Sequence, residues 1–222
     1  MDSAQLQPGL ITAVERQKRS KHRYNLFVDG DYAFSVHEDI LVKHRLLKGE
    51  HIDRTRMESI VQDDERHQAY LEAIRYIGRR PRSHKEVKLH LKEKGYEPDR
   101  IAEILERLQS ERYLDDEAFA KLWTEHRIVS QRKGRRWVQM ELADKGVDEG
   151  DIARALGGID PEEEYAGAWE LGRKKWRTTG GELLERKRKV MAFLLRRGYS
   201  NELVSRVLRE LAAGNEYGEE QE

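Results

Sequence analysis

SHKEVKLHLKEKGYEPDRIAEILERL, residues 83–108, decides how this chain folds. With Gly95 as origin, the same pattern returns around Gly146 and Gly198, a period of roughly 50 residues that marks a repeat architecture. Eight positions before each glycine stand Val87, Val138 and Val190, and four before stand Leu91, Leu142 and Leu194. Six after stand Ile101, Ile152 and Val204, and ten after stand Leu105, Leu156 and Leu208. Spacings of four put each pair on one helical face, so every copy is predicted to be two amphipathic helices meeting at a glycine. The pairs Lys94–Gly95, Lys145–Gly146 and Arg197–Gly198 set a cation and a left-handed residue at a helix C-terminus. Glu97, Asp148 and Ser200 follow; the last two are good N-caps, and Pro98 suits a first helical position. A third helix is predicted ahead of each hairpin; Ser83 and Glu86 form a capping box for the first hairpin, Asp115 and Asp116 open a helix before the second, and Asp160, Pro161 and Glu163 open one before the third.

Composition agrees with an array. The 222 residues are 37% hydrophobic and 38% charged, too polar for one large core, so each unit is expected to bury a modest core and pack on its neighbours. There is no cysteine, which excludes a disulfide framework and thiolate chemistry and fits a cytoplasmic protein. No apolar stretch resembles a signal core or approaches the roughly 18 residues of a membrane span. Charge balances at 42 basic against 42 acidic residues, yet locally it does not. His126 to Met140 holds Arg127, Arg132, Lys133, Arg135 and Arg136 and no acid among its basic residues until Glu141, whereas Glu216, Glu219, Glu220 and Glu222 make an acidic tail.

In order along the chain, residues 1–9 are predicted to be disordered. ITAVERQ and YNLFVDGDYAFSV then alternate as strands, with Asp29 and Gly30 as a type I′ hairpin turn, so a small module of three strands is expected. A helix over His37–Leu47 should stop at Gly49, with Ile52 in a connector, and a long helix should run over Asp53–Ile77. Phe119, Leu122, Trp123 and Ile128 are expected to be buried; Tyr165, Trp169 and Trp176 belong to a later helix that ends at a flexible Thr178–Gly181 joint. The resulting class is mainly α: three tandem three-helix repeats and an N-terminal hairpin-containing module. The divisions are 1–52 for the module, 53–109, 110–158 and 159–213 for the repeats, and 214–222 for the tail.

Catalytic constellations are missing. No glycine-rich phosphate loop carries lysine with serine or threonine, and no GxGxxG follows a strand. His84 and His90 fall on different helix faces, and no histidine pair has the i, i+4 spacing of a helical zinc site, so no metal and no cofactor is expected. Asp63, Asp64 and Glu65 are expected to decorate the exposed side of the long helix rather than hold magnesium. What stands out is a basic cluster at the entrance of each second helix: Arg79, Arg80, Arg82 and Lys85; Arg132, Lys133, Arg135 and Arg136; Arg186, Lys187, Arg188 and Lys189. Ten residues before each glycine the residue is always basic, Lys85, Arg136 and Arg188. Cations there oppose the helix dipole, which favours function over stability as their explanation, against the alternative of a solvated charged face. Stacking would align them into a stripe suited to phosphates or an acidic partner, with Trp137 placed to stack on a base or to pack between helices.

On AIRYIGRRPRSHKEVKLHLKEKGY (73–96), ERYLDDEAFAKLW (111–123), GRRWVQMELADKGV (134–147) and KRKVMAFLLRRGY (187–199), the chain resembles the RecX family, bacterial regulators of the RecA recombinase. Val147 departs from the tyrosine of the other copies, as does the TTGG joint of the third, and both bear on local geometry. The resemblance implies a curved, elongated, monomeric protein without enzymatic activity, seated in the groove of the RecA filament on single-stranded DNA, touching the DNA directly or through RecA. There it would restrain filament growth or promote disassembly, damping recombination and the SOS response. An alternative is a DNA-binding protein whose hairpins act as helix-turn-helix readers; that needs base-reading side chains on a recognition helix, whereas these arginines sit at helix entrances.

Overall fold

The computed structural model describes residues 7–216, so the first six residues and the end of the acidic tail lie outside the described part. Gly9, placed in the disordered start by the sequence, already opens a strand. The elements are β1 (Gly9–Arg16), β2 (Arg23–Val28), β3 (Asp31–His37), α1 (Glu38–Lys43), β4 (His51–Ile52), α2 (Arg54–Ile77), α3 (His84–Glu93) and α4 (Pro98–Ser110). They continue with α5 (Asp116–Glu125), a π-helical turn (His126–Ser130), α6 (Arg135–Asp144), α7 (Glu149–Gly157), α8 (Pro161–Arg177), α9 (Leu183–Arg196) and α10 (Asn201–Glu216). The chain divides into two compact units, Met1–Arg80 with Val87–Tyr113, and Pro81–Glu86 with Leu114–Glu222.

In the first unit the antiparallel sheet has the order β3-β2-β1-β4. Asp29 and Gly30 have φ of 50° and 96°, the paired positive values of a type I′ turn. Ile11, Leu26, Phe34 and Val36 face Ile40, Ile52, Met57 and Ile60, joining the sheet to α1 and the first half of α2. Ile52 is a correction: it pairs with Gly9 as a fourth strand rather than lying in a connector. So is the end of α1. The amide of Leu46 donates to Leu41 O and that of Arg45 to Val42 O, with Arg45 at φ 48°, so a left-handed arginine stops the helix before Gly49 is reached. α2 keeps its predicted length, with Asp53 capping the amide of Arg56 at 2.7 Å. Ala69, Ala73, Val87, Leu91, Ile101, Ile104 and Leu108 are the buried residues of the first three-helix domain.

The second unit contains the three-helix domains α5–α7 and α8–α10. The −8 and −4 positions, Val138, Leu142, Val190 and Leu194, are fully buried, as they are in the first domain. After the glycine the buried stripe includes position nine in every copy, Ile104, Ala155 and Val207; at position ten Leu208 is buried as expected, while Leu105 and Leu156 are only half-buried. Leu122 is 56% exposed, contrary to expectation, because the inward side of α5 is Phe119, Ala120 and Thr124, continued by Ile128 in the π-helical turn. The sequence Thr178–Gly181 forms a capped helix end, with the Thr179 hydroxyl donating to Lys175 O at 2.7 Å. No described helix is long and apolar enough to cross a membrane.

Candidate functional site

The three glycines define one backbone motif used three times. Gly95, Gly146 and Gly198 have φ of 86°, 78° and 90°. The next amide reaches back to the −4 carbonyl each time: Tyr96 to Leu91, Val147 to Leu142, Tyr199 to Leu194. Val147 therefore preserves the backbone although it lacks the tyrosine hydroxyl.

Within the second unit this motif is also a socket. The Ser83 hydroxyl donates to Lys145 O at 2.7 Å, the Lys85 ammonium donates to Asp144 O at 2.8 Å, and the lysine stem lies against Gly146. The next joint repeats the arrangement with backbone alone: Gly134 N donates to Arg197 O at 2.9 Å and Arg136 N to Gly198 O at 3.1 Å. Each joint adds a carboxylate on the incoming helix N-terminus, Asp116 accepting from His84 N at 2.9 Å and Glu164 from Arg135 N at 2.8 Å. The second joint carries a further clasp, the Tyr199 hydroxyl donating to Arg132 O at 2.8 Å. The −10 cation thus has a structural explanation in Lys85. It sits at the start of one helix but at the carbonyl end of another, where the dipole welcomes it.

This geometry sorts the predicted residues. Arg135 is internal: its guanidinium donates to Glu164 Oε2 at 2.8 Å, Leu156 O at 2.8 Å and Ile159 O at 2.7 Å. Arg186 is internal too, donating to Trp176 O at 2.9 and 2.8 Å from above the indole of the same residue. These two correct the expectation of an outward basic stripe, because the carbonyl ends of α7 and α8 take up their donors. Arg82 lies half-buried, 3.7 Å from Glu86, and Arg132 pairs with Glu170 at 2.6 Å. Arg79 and Arg80 are exposed beyond the end of α2. Arg136 and Arg188 are exposed and Lys187 is half-buried; among the described residues none of these three makes an ion pair. Trp137 is half-buried, its backbone and Cβ close against Gly198, with the Lys133 ammonium 3.7 Å from its ring centre.

Two cations without an ion pair among the described residues, Lys133 and Arg197, meet at the second joint. Burial, then the charges of Arg197 and Arg127, hold the Lys133 ammonium below the ordinary lysine value, with Glu141 pulling the other way. Glu141 is itself shared, accepting from the Trp123 indole at 3.1 Å and pairing with Arg127 at 2.8 Å. Arg197 lies over Phe193. Lys133 and Arg197 thus form a positive patch beside Trp137 in which an anion would relieve repulsion between like charges, while the exposed Arg136, at the same helix entrance, acts on the carboxylate of Glu202. Sequence reasoning misses Lys145, Arg127 and Arg197 as site residues, because a basic residue before a glycine already has a local explanation at a helix C-terminus and Arg127 carries no distinguishing spacing.

The acidic and histidine-rich part of the first unit also differs from expectation. Asp63 pairs with Lys43 at 2.6 Å and His44 at 2.9 Å. Asp64 is buried, not exposed, and accepts from Arg23 at 3.0 Å, Gln68 at 2.5 Å and the amide of His37 at 2.6 Å. His37 from the end of β3 and His67 from α2 come together around Asp39, a meeting that local spacing cannot reveal.

Comparison with known proteins gives a consistent result. Family profiles match residues 9–53 as the regulatory protein RecX N-terminal domain, and 69–108, 115–156 and 162–208 as the first, second and third RecX three-helix domains. The chain is 37% identical over 219 residues to a regulatory protein RecX from Halalkalibacterium halodurans, covering 96% of this chain and 82% of that one. It is 34% identical over 207 residues to the RecX of Oceanobacillus iheyensis, covering 90% and 76%. A crystal structure of a regulatory protein RecX superposes with a TM-score of 0.72 at 31% identity, over 89% of this chain and 98% of that one. RecX from Lactobacillus salivarius shares the fold, with a TM-score of 0.63 at 22% identity over 68% and 99%.

Proposed function

Because the chain belongs to the RecX family of regulatory proteins, we propose that it binds the RecA filament on single-stranded DNA and restrains or disassembles it, thereby modulating recombination and the SOS response. The protein acts by occupancy rather than by a chemical step. The observation that supports this is the patch of Lys133 and Arg197 beside Trp137, with the exposed Arg136 at the same helix entrance, cations that make no ion pair within 4.0 Å among the described residues. They suit the phosphate backbone within the filament or acidic side chains of the recombinase. The alternative of hairpins reading the major groove is disfavoured by the entrance of α6, where the Arg135 side chain and the amides of Arg135 and Arg136 are taken up by Glu164 and Gly198.

The test is RecA-catalysed ATP hydrolysis on single-stranded DNA with the protein titrated in. Stoichiometric inhibition supports the reading. Full hydrolysis at equimolar protein overturns it.

A further inference from the structure

We propose that His37, Asp39 and His67 form a binding site for one divalent transition-metal ion of the zinc type, which would clamp the start of α1 to α2. One ligand atom from each residue lies within 4.8 Å of the other two. His67 Nε2 is 3.1 Å and His37 Nδ1 is 3.5 Å from Asp39 Oδ2. Ligands of a tetrahedral zinc ion with bonds of about 2.0–2.1 Å stand about 3.3 Å apart, so two of the three separations already match. The imidazole rings are 4.5 Å apart between centres and tilted by 52°.

The state of His67 favours a ligand over a hydrogen-bonded pair. Its Nε2 is buried and, although close to the Asp39 carboxylate, is not aligned to make a hydrogen bond. Two donor atoms brought close without a proton well placed between them are what a shared cation relieves. Two imidazoles and one carboxylate select zinc, cobalt or nickel over magnesium or calcium, whose preferred ligands are all oxygen.

The surroundings hold these ligands in place. The Asp64 carboxylate fixes the His37 amide at 2.6 Å while its own charge is taken up by Arg23 at 3.0 Å. His22 stacks 5.9 Å from His37 and is engaged with Glu38 at 2.7 Å. The fourth coordination position is left to water or an outside group. The long bond from Asp39 N to His37 Nδ1, at 3.3 Å, is the contact the ion would share or displace. An ion here would tie the N-terminal sheet, through β3 and α1, to the middle of the longest helix.

The experiment is calorimetric titration of zinc chloride into the metal-stripped full chain, paralleled by the visible absorption of bound cobalt. The expected result is saturable binding of one ion per chain. Binding should weaken about tenfold or more in His67→Gln and in Asp39→Asn, and stay unchanged in His51→Gln. Circular dichroism checks that the variants fold; should His67→Gln not fold, Asp39→Asn decides, since the Asp39 side chain is 62% exposed. No saturable binding, or wild-type affinity in a folded Asp39→Asn, overturns the proposal.

Discussion

Gly134 and Gly198 touch through their backbones: a Cβ on Gly134 would lie 2.2 Å from the carbonyl carbon of Gly198, with no side chain in between to yield. Gly134 has φ −77°, so its need for glycine is one of space and not of conformation. Gly134→Ala is therefore expected to lower the unfolding free energy by about 2 kcal/mol, as overpacking against rigid atoms does. Urea denaturation measures it; a variant as stable as the parent would mean that the joint is looser than these contacts.

Two adjacent arginines should behave oppositely. Arg135→Ala leaves Glu164, 8% exposed, without its partner. Breaking a buried pair costs about 3–5 kcal/mol, and the partial exposure of Arg135 brings the expected loss to about 2 kcal/mol. Arg136→Ala should change stability by less than about 0.5 kcal/mol, as exposed substitutions do, yet weaken filament binding. Thermal melts together with a filament-binding assay separate them; equal losses of stability would erase the distinction between internal and outward arginines.

If the patch at the second joint meets phosphates, combined replacement of Lys133, Arg136 and Arg197 by alanine should flatten the dependence of log affinity on log salt by about 2, at about 0.7 per phosphate on a single strand. Fluorescence anisotropy over a salt series reads this. An unchanged slope would move the contact to another surface or to protein alone.

Tyr70 and Tyr165 are both pushed up to about 12, by burial first and then by the hydroxyl's hydrogen bond to a carboxylate, Glu111 and Glu210 respectively. A folded pKa above the unfolded value near 10 means that the neutral hydroxyl stabilises the fold. That contribution is complete below pH 10 and disappears as pH rises toward 12. Ultraviolet titration should show delayed ionisation in the native protein, and Glu111→Gln should bring one of these tyrosines back toward 10.

The helices were legible because glycine, with its left-handed φ, fixes the register of an otherwise noisy pattern, and because Asp53, Asp115, Asp148 and Asp160 cap where short-range chemistry says they should. What the sequence hid depends on distance along the chain. The charge of Lys85 reads as unfavourable within its own helix, and only the carbonyl of Asp144, 59 residues away, explains it. Arg135 and Arg136 are chemically identical in the sequence; only the position of Glu164 makes one internal. The clustering of His37 with His67 needed β3 and α2 to be laid side by side.

At the site matching Ser83 and Gly134, the third domain carries Arg186, whose guanidinium folds back on Trp176 O instead of leaving a small residue to enter a successor's glycine turn. A duplicated copy of α8–α10 grafted downstream would meet a guanidinium where the first two joints offer a serine and a glycine, so Arg186→Gly is the substitution that should ease lengthening of the series.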